Sequence, residues 1–555
     1  MEFTEEQKKV FNFVKYESNH GIIDAVAGSG KTTTIIESAS FIDPEKKVLF
    51  CAFNRSIKQE IQSRFTEKGL DRITVKTMHA LGYDILKSNS RNDYSFDNFK
   101  YTKLIEAYLK NNPEHSLFPL LKLNGLSPDA ENKREQYQVK KFVTSFKLIL
   151  AEINTKYRLT LTKDNFEDFK EMVLHFNLFE DVNTKSKKFE EELEHYYDAN
   201  KFLLNKGNSM AENQQIIDFT DMLFLPFAFS LYPKTTFDLL FIDECQDLSY
   251  SQIACALKYL KKDGRILSVG DPSQSIYGFA GADIESYNKL GEIPNTVELT
   301  LSKCFRCPDN VIELAQNFRE DIYPFVPKAG EIYKIPFEEA VSKVKPGNLV
   351  ISRVKNPLLE MLFMLIDRGI SVEVHEDDIK EVINSIRFIF TREELKKDDV
   401  LSIVDDVRSR NHYFIDKNAK NIDDKEEREL FIKSERQLLE SKIQMISKQS
   451  AQHLDVDSID ELLKKIQRLI SGNEDAVKLS TIHKAKGLEN DTVFILGYDT
   501  LPLYRDGQME WEKRQERNLK YVALTRAKHE LYLVDSKKVK LDKEEGTFFD
   551  KLDWL

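Results

Sequence analysis

Short uninterrupted apolar runs, bounded by polar or turn-forming residues, punctuate this chain. "GIIDAVA" at 21–27 and the apolar stretch from Asp238 to Ile242 each predict a buried strand. Directly after the first run, "KTTTIIESASF" can start a helix. Segments 131–147 and 424–446 combine charge with apolar residues at helical spacing, which predicts helices with a solvated face. No apolar run reaches the roughly 18 residues that a membrane span requires. The opening "MEFTEEQKKVFNF" carries acidic residues where a signal peptide would carry basic ones. A soluble, cytoplasmic protein with no membrane contact is the expectation, with neither internal repeat nor Gly/Ser-rich linker.

Composition sharpens this picture in a few places. At 555 residues the chain should divide into two to four domains, and 41% hydrophobic with 31% charged residues suits folding around real cores. The net charge of −11 argues against a basic coat, yet a groove-binding protein needs only local positive potential. The five cysteines are too scattered for a disulfide framework. "CFRC" at 304–307 lacks a second pair to complete a metal site, so it reads as two unligated thiols.

Chemistry enters at "DAVAGSGKTTTI", residues 24–35. A strand, a glycine-containing turn and a helix start together aim backbone N–H groups and the positive helix end at an anion. Ala25 stands where the usual phosphate-loop pattern has its first glycine. Gly28 and Gly30 nevertheless allow close approach to phosphates, Lys31 can reach the β/γ-phosphates, and the Thr32 hydroxyl can take a Mg²⁺ position. Further along, the strand in "FDLLFIDECQDLS" ends in Asp243-Glu244, where Asp243 can hold Mg²⁺ and Glu244 can orient and deprotonate a water. ATP hydrolysis follows as the leading reading. More than two hundred residues separate Lys31 from Asp243, so something is inserted between them.

Reading on, "LSVGDPSQSIYGFAGAD" at 267–283, "VKLSTIHKAKGLENDTVFILG" at 477–497 and "ERNLKYVALTRAKHELYLV" at 516–534 follow in order. With the phosphate loop and "IDECQD", they resemble the motif series of the UvrD/Rep-type superfamily 1A DNA helicases over almost the whole chain. The "AFN-S-I" wording looks nearer the F-box DNA helicase branch. The resemblance implies an α/β fold of two RecA-like P-loop motor domains, with ATP and Mg²⁺ bound between them and single-stranded DNA running across both. The first motor would comprise 1–85 and 213–300 and the second 301–372 and 474–555, with mainly helical insertions at 86–212 and 373–473.

The resemblance also implies roles. The loop Ala27, Gly28, Ser29, Gly30, Lys31, Thr32 and Thr33 would hold the nucleotide, with Gln7 on the adenine edge, Phe305 stacking on the base and Glu489 facing the ribose. Catalytic positions would be Lys31, Asp243, Glu244, the γ-phosphate sensor Gln274, Arg306 and the arginine finger Arg526. A basic helix start is the plainer reading of Arg526. Grips that do not read sequence are hydroxyls, amides, cations and stacking aromatics. On the motifs shared with the family, the resemblance nominates Asn54, Arg55, Thr77, His79, Tyr277, Phe279, Arg353, Thr481 and His483 for DNA. Ala280 replaces an arginine usual after that second aromatic, which puts one contact or coupling step in doubt. Asp221 in "IDFTDML" matches a motif and receives no firm role beyond supporting the first motor.

The implied function is an ATP-dependent helicase moving 3′ to 5′ on single-stranded DNA and tailed duplexes. The alternative is a DNA-stimulated ATPase or translocase that remodels protein–DNA complexes or serves a partner. A separate nuclease, replication or repair partner would supply other activities.

Overall fold

The computed structural model describes residues 2–536 except 112, 131, 180–183, 185, 279–280, 282–283, 376–378, 381–382, 385–386, 392–393, 395–399, 420–427, 429–431, 433–434, 437–438, 441, 444–445, 448–457, 471–474 and 506. Most of the expected helix at 424–446 lies outside the described residues, as do Phe279 and Ala280. The chain forms two compact units, Met1–Cys304 with Asp506–Gln515, and Phe305–Arg505 with Glu516–Leu555.

The first unit contains β1 (His20–Ala25), β2 (Val48–Ala52), β3 (Thr74–Thr77), β4 (Ser95–Phe96), β5 (Ile216–Ile217), β6 (Phe237–Ile242), β7 (Leu260–Gly270), β8 (Thr296–Leu301) and the short β9 (Lys303–Cys304). Six of these make one parallel sheet in the order β3-β2-β6-β7-β1-β8. Every residue of β2 is buried, and β6 is buried at all but Asp238. Such continuous apolar strands suit a parallel sheet covered on both faces. One face packs Val10, Phe13, Ile35 and Phe65; the other packs Met78, Leu81, Leu223 and Ile253. The register pairs Asp24 with Gly270 and Ile242 with Ser268, so β1, β7 and β6 end close to one level. The turns that follow them therefore share the carboxyl edge of the sheet, where open α/β sheets hold ligands.

Between β4 and β5 the chain builds a helical layer with its own core, including Phe146, Leu150, Ile153, Phe169, Tyr196 and Leu203. Its helices Lys133–Thr160, Phe166–His175 and Lys187–Gln214 start on the side-chain caps Asn132, Asn165 and Ser186. β4 and β5 pair in parallel, Ser95 with Ile216 and Phe96 with Ile217, closing the neck of the insertion.

Beside that neck lies a buried charge cluster. Lys100 Nζ lies 2.6 Å from Asp221 Oδ2, and both side chains are fully buried. Arg158 donates to Asp218 at 2.8 Å and to Asp221 Oδ1 at 3.1 Å, while Tyr101 OH donates to the same Asp221 oxygen at 3.0 Å. The guanidinium also sits 3.8 Å from the centre of the Tyr101 ring. Two cations thus face two carboxylates, and Asp221, at the start of helix Asp221–Ala228, is the hub. Its role is to join insertion helices to the sheet-covering layer.

The second unit contains β10 (Tyr323–Pro324), β11 (Glu331–Pro336), β12 (Leu349–Ser352), β13 (Val372–Glu373), β14 (Val477–Thr481), β15 (Asn490–Leu496) and β16 (Ala527–Asp535). Six form a second parallel sheet, ordered β11-β16-β15-β12-β14-β13. Helix Lys355–Asp367 covers it through Met361, Leu362 and Leu365.

Asp221→Ala should strand two buried cations around one remaining carboxylate. Breaking such a cluster costs about 3–5 kcal/mol, expected as a lower urea midpoint for the unfolding transition of the first unit; an unchanged midpoint contradicts the hub assignment.

Candidate functional site

After Ala25 the chain turns into helix Lys31–Ser38. Gly28 and Gly30 have φ of +69° and +76°, a left-handed conformation in which a side chain is strained. Gly30 is the helix N-cap and supplies no side-chain acceptor, so the first-turn amides keep their capacity for an anion. The buried Ser29 hydroxyl has no partner among the described residues, which also suits an oxygen-rich ligand. Ala25 is fully buried, pairs with Leu301 and has no positive φ. Nothing in the backbone there demands glycine.

β6 delivers the acids to the same edge. Thr32 Oγ1 donates to Asp243 Oδ2 at 3.1 Å, and Lys31 Nζ lies 3.7 Å from Glu244 Oε1. Glu244 has φ of +49°, and its N–H is held by Asp243 Oδ1 at 2.9 Å. Burial, then the Glu244 charge, push the Asp243 carboxyl well above the usual carboxylate range, against the pull of Lys31 and the Thr32 hydrogen bond. A hydroxyl beside a carboxylate is the hard-oxygen set that Mg²⁺ takes together with phosphate oxygens and waters, so the residues fit that ion.

A polar relay absent from the sequence reading extends this group. Gln246 Nε2 donates to Glu244 Oε2 at 2.6 Å, and Gln246 Oε1 accepts from the Asp271 N–H at 3.0 Å. Asp271 Oδ2 accepts in turn from Gln274 Nε2 at 2.6 Å. Gln274 is thereby linked to Glu244 through two intermediates. Gln7 is committed too: Oε1 accepts from the Thr4 N–H at 3.0 Å and Nε2 donates to Thr34 at 3.0 Å, leaving its second amide hydrogen for a base edge. Thr33 accepts from Arg64 at 2.9 Å.

The DNA-side candidates of this unit follow β2, β3 and β7 at the same carboxyl edge. Asn54 and Thr77 are both helix caps, accepting from Ile57 N and Ala80 N at 2.9 and 3.3 Å, while Arg55 is exposed. His79 stacks on the exposed Phe219 at 3.9 Å between ring centres, and burial lowers its pKa to about 4. It is therefore a neutral ring at pH 7. Tyr277 stacks on Phe53 at 6.1 Å, an aromatic the sequence reading passed over.

In the second unit the candidates divide between the two edges of the sheet. Arg306, Glu489 and Arg526 gather at the amino ends of β15 and β16: Arg306 Nε donates to Glu489 Oε2 at 2.6 Å, its NH1 to Thr525 O at 3.1 Å, and Lys528 pairs with Glu489 at 2.7 Å. Burial raises the Glu489 pKa, but the Lys528 hydrogen bond and the Arg306 charge outweigh it and hold the carboxyl below its ordinary range. Arg526 follows the end of helix Glu510–Leu524, not a helix start, and donates to Val522 O and Leu488 O at 2.9 and 3.1 Å. The part-exposed Phe305 ring packs on Phe325 at 4.4 Å. At the carboxyl ends of β12 and β14 lie Arg353, Thr481 and His483. Arg353 is clamped by Glu516, with Nε and NH2 at 3.0 and 2.8 Å from Oε1. Burial and the Arg353 charge hold His483 well below the ordinary imidazole value. Thr481 Oγ1 accepts from Lys484 N at 3.4 Å.

Among the described residues no helix is long and apolar enough to cross a membrane, and no group of three or more metal-ligating side chains occurs. Family profiles match nearly end to end: UvrD/REP helicase N-terminal domain over residues 3–294 and UvrD-like helicase C-terminal domain over 300–538. The chain is similar to F-box DNA helicase protein 1 of Schizosaccharomyces pombe, 26% identical over 96% of this chain and 57% of that protein. It also resembles ATP-dependent DNA helicase PcrA of Bacillus subtilis, 21% identical over 93% of this chain and 80% of that one. Gabija protein GajB of Bacillus cereus is 25% identical over 56% of this chain and 65% of its own length. The chain thus spans little more than half of the fungal relative.

Because Ala25 already takes a conformation open to any residue, restoring the motif glycine should gain nothing. Ala25→Gly is expected to leave the KM for ATP within about two-fold while lowering stability by about 0.5–1 kcal/mol, read from nucleotide titrations and thermal melts; a several-fold gain in ATP affinity would contradict this account of the loop.

Proposed function

Since the chain belongs to the UvrD/Rep family of DNA helicases, we propose that it is an ATP-driven motor that moves 3′ to 5′ on single-stranded DNA and separates the strands of tailed duplexes. The family binds DNA and uses ATP, generally with Mg²⁺. The observation that supports the ATP-driven part of this reading is the convergence of Lys31, Thr32, Asp243 and Glu244 on one sheet edge, linked by the Gln246–Asp271–Gln274 relay to the loop bearing Tyr277, while the polarity rests on the family resemblance of the motifs.

In this reading Lys31 and the loop amides bind the β/γ-phosphates, and Thr32 with Asp243 holds the cation. Bound there, Mg²⁺ would neutralise charge on the phosphates. Glu244, once Lys31 turns toward phosphate, orients the attacking water and accepts its proton. Phe305 stacks on the adenine, Gln7 reads its edge, and Glu489 lies on the ribose side. Arg306 and Arg526 are assigned to stabilise charge on the transferred phosphoryl group. An arginine of this kind is worth about 10³–10⁵ in rate. Arg526 must exchange its carbonyl partners for phosphate to do so, which makes turnover conditional on a conformational step. Gln274 senses the γ-phosphate, and the strand is gripped by Asn54, Arg55, Thr77, His79, Tyr277, Phe279, Arg353, Thr481 and His483. Stacking contributes about 1–3 kcal/mol per base, enough to hold a strand and little enough to release it within a cycle.

A second reading, a DNA-stimulated translocase that clears proteins or serves a nuclease, replication or repair partner, draws on Ala280 in place of the usual arginine. Duplexes with only a 3′ or only a 5′ single-stranded tail separate the two. Unwinding of the 3′-tailed substrate alone supports the helicase and its polarity; strand-stimulated turnover without unwinding of either favours the translocase. Lys31→Ala and Glu244→Gln are each expected to abolish ATP turnover with circular dichroism unchanged, and near-normal hydrolysis in either removes the site assignment.

A further inference from the structure

The loop after β7 is held from three sides, and one support comes from a distant stretch of sequence. Ser275 Oγ donates to Gln246 O at 3.1 Å, at the nucleotide end of the loop. Tyr277 stacks on Phe53, the residue before Asn54, at 6.1 Å and 20°. The third support is Gln515, whose Oε1 accepts from the Gly278 N–H at 2.9 Å. That amide is the one immediately after Tyr277, so the acceptor acts on the backbone that aims the tyrosine.

Trp511, one helical turn before Gln515, completes the support. Its Nε1 donates to His175 O at 2.7 Å, and its ring lies 6.3 Å from those of His175 and Phe176. It is thereby anchored on helix Phe166–His175 of the insertion. A Cβ placed on Gly278 would meet the Trp511 ring at 2.7 Å and Gln515 Oε1 at 2.8 Å. Glycine at 278 is the residue that lets this backbone approach so closely. All these residues belong to the first unit, which includes Asp506–Gln515.

We propose that Gln515, backed by Trp511, is a positioning residue for the single-strand stacking loop: it fixes the Gly278 amide and so presents Tyr277 to a base. The inference rests on the motor reading above. Gln515 is bonded to the Gly278 amide, and in this reading it acts through Tyr277. Without the acceptor, the loop populates conformers that do not present the ring, and apparent affinity for the strand falls by the fraction lost.

The test is a titration of ATP turnover with oligo-deoxythymidine, using the full chain. Gln515→Ala should raise the half-saturating oligonucleotide concentration about three- to ten-fold, the effect of one such hydrogen bond. The rate without DNA and the rate at saturating DNA should match the parent, as should the melting temperature. Gln515→Glu keeps an acceptor oxygen at the same reach and should restore the parental titration. A Gln515→Ala curve coincident with the parent, a Gln515→Glu variant as weak as Gln515→Ala, or lost turnover without DNA each overturns the proposal. A parent protein indifferent to single strands overturns the motor reading itself, and this inference with it.

Discussion

The hydrogen bond from Thr32 to Asp243 joins residues 211 positions apart, and the first unit is arranged so that it can form. It requires β1 and β6 to run parallel with only β7 between them and their carboxyl ends close to level. A one-residue slip in either pairing would turn every strand side chain to the opposite face, where it would meet a differently shaped layer, so close packing on both faces holds the alignment. Once β1, β7 and β6 end together, the phosphate loop, the acids and the Asp271–Gln274 turn become neighbours without further device.

The second unit uses its sheet differently. Arg306, Glu489 and Arg526 sit at the amino ends of β15 and β16, while Arg353, Thr481 and His483 sit at the carboxyl ends of β12 and β14. A strand the length of β15 separates the groups by about 20 Å at roughly 3.3 Å per residue. Arg353 is matched one to one by Glu516, whereas Glu489 is shared by Arg306 and Lys528.

Much of this was legible in the sequence because the features are local. Buried parallel strands read as short apolar runs, a phosphate loop needs its glycines and its Lys-Thr within a few residues, and the later motifs follow in order. Pairings between distant segments outside the motif series were not legible. Lys100 and Arg158 lie in helices where one cation looks like any solvated one, and only the fold brings both to Asp221. Gln246 and Asp271 carry no signal of a relay, because hydrogen-bond partners are set by which strands adjoin. Asn54 and Thr77 were read for DNA alone, yet each also caps a helix, a role visible locally from a polar residue ahead of an apolar periodic run. Phe279 and Ala280 lie outside the described residues.

The cluster around Asp221 also bears on how this insertion could be exchanged for another. Two cations and two carboxylates balance with almost no solvent access, and their members come from both sides of the neck closed by β4 and β5. A foreign helical layer grafted between those strands would have to bring its own equivalents of Lys100 and Arg158, or arrive with Asp218 and Asp221 already changed to apolar residues. The neck is thus a junction that matches by charge as well as by shape, and modular replacement here succeeds only when both halves of the match are transplanted together.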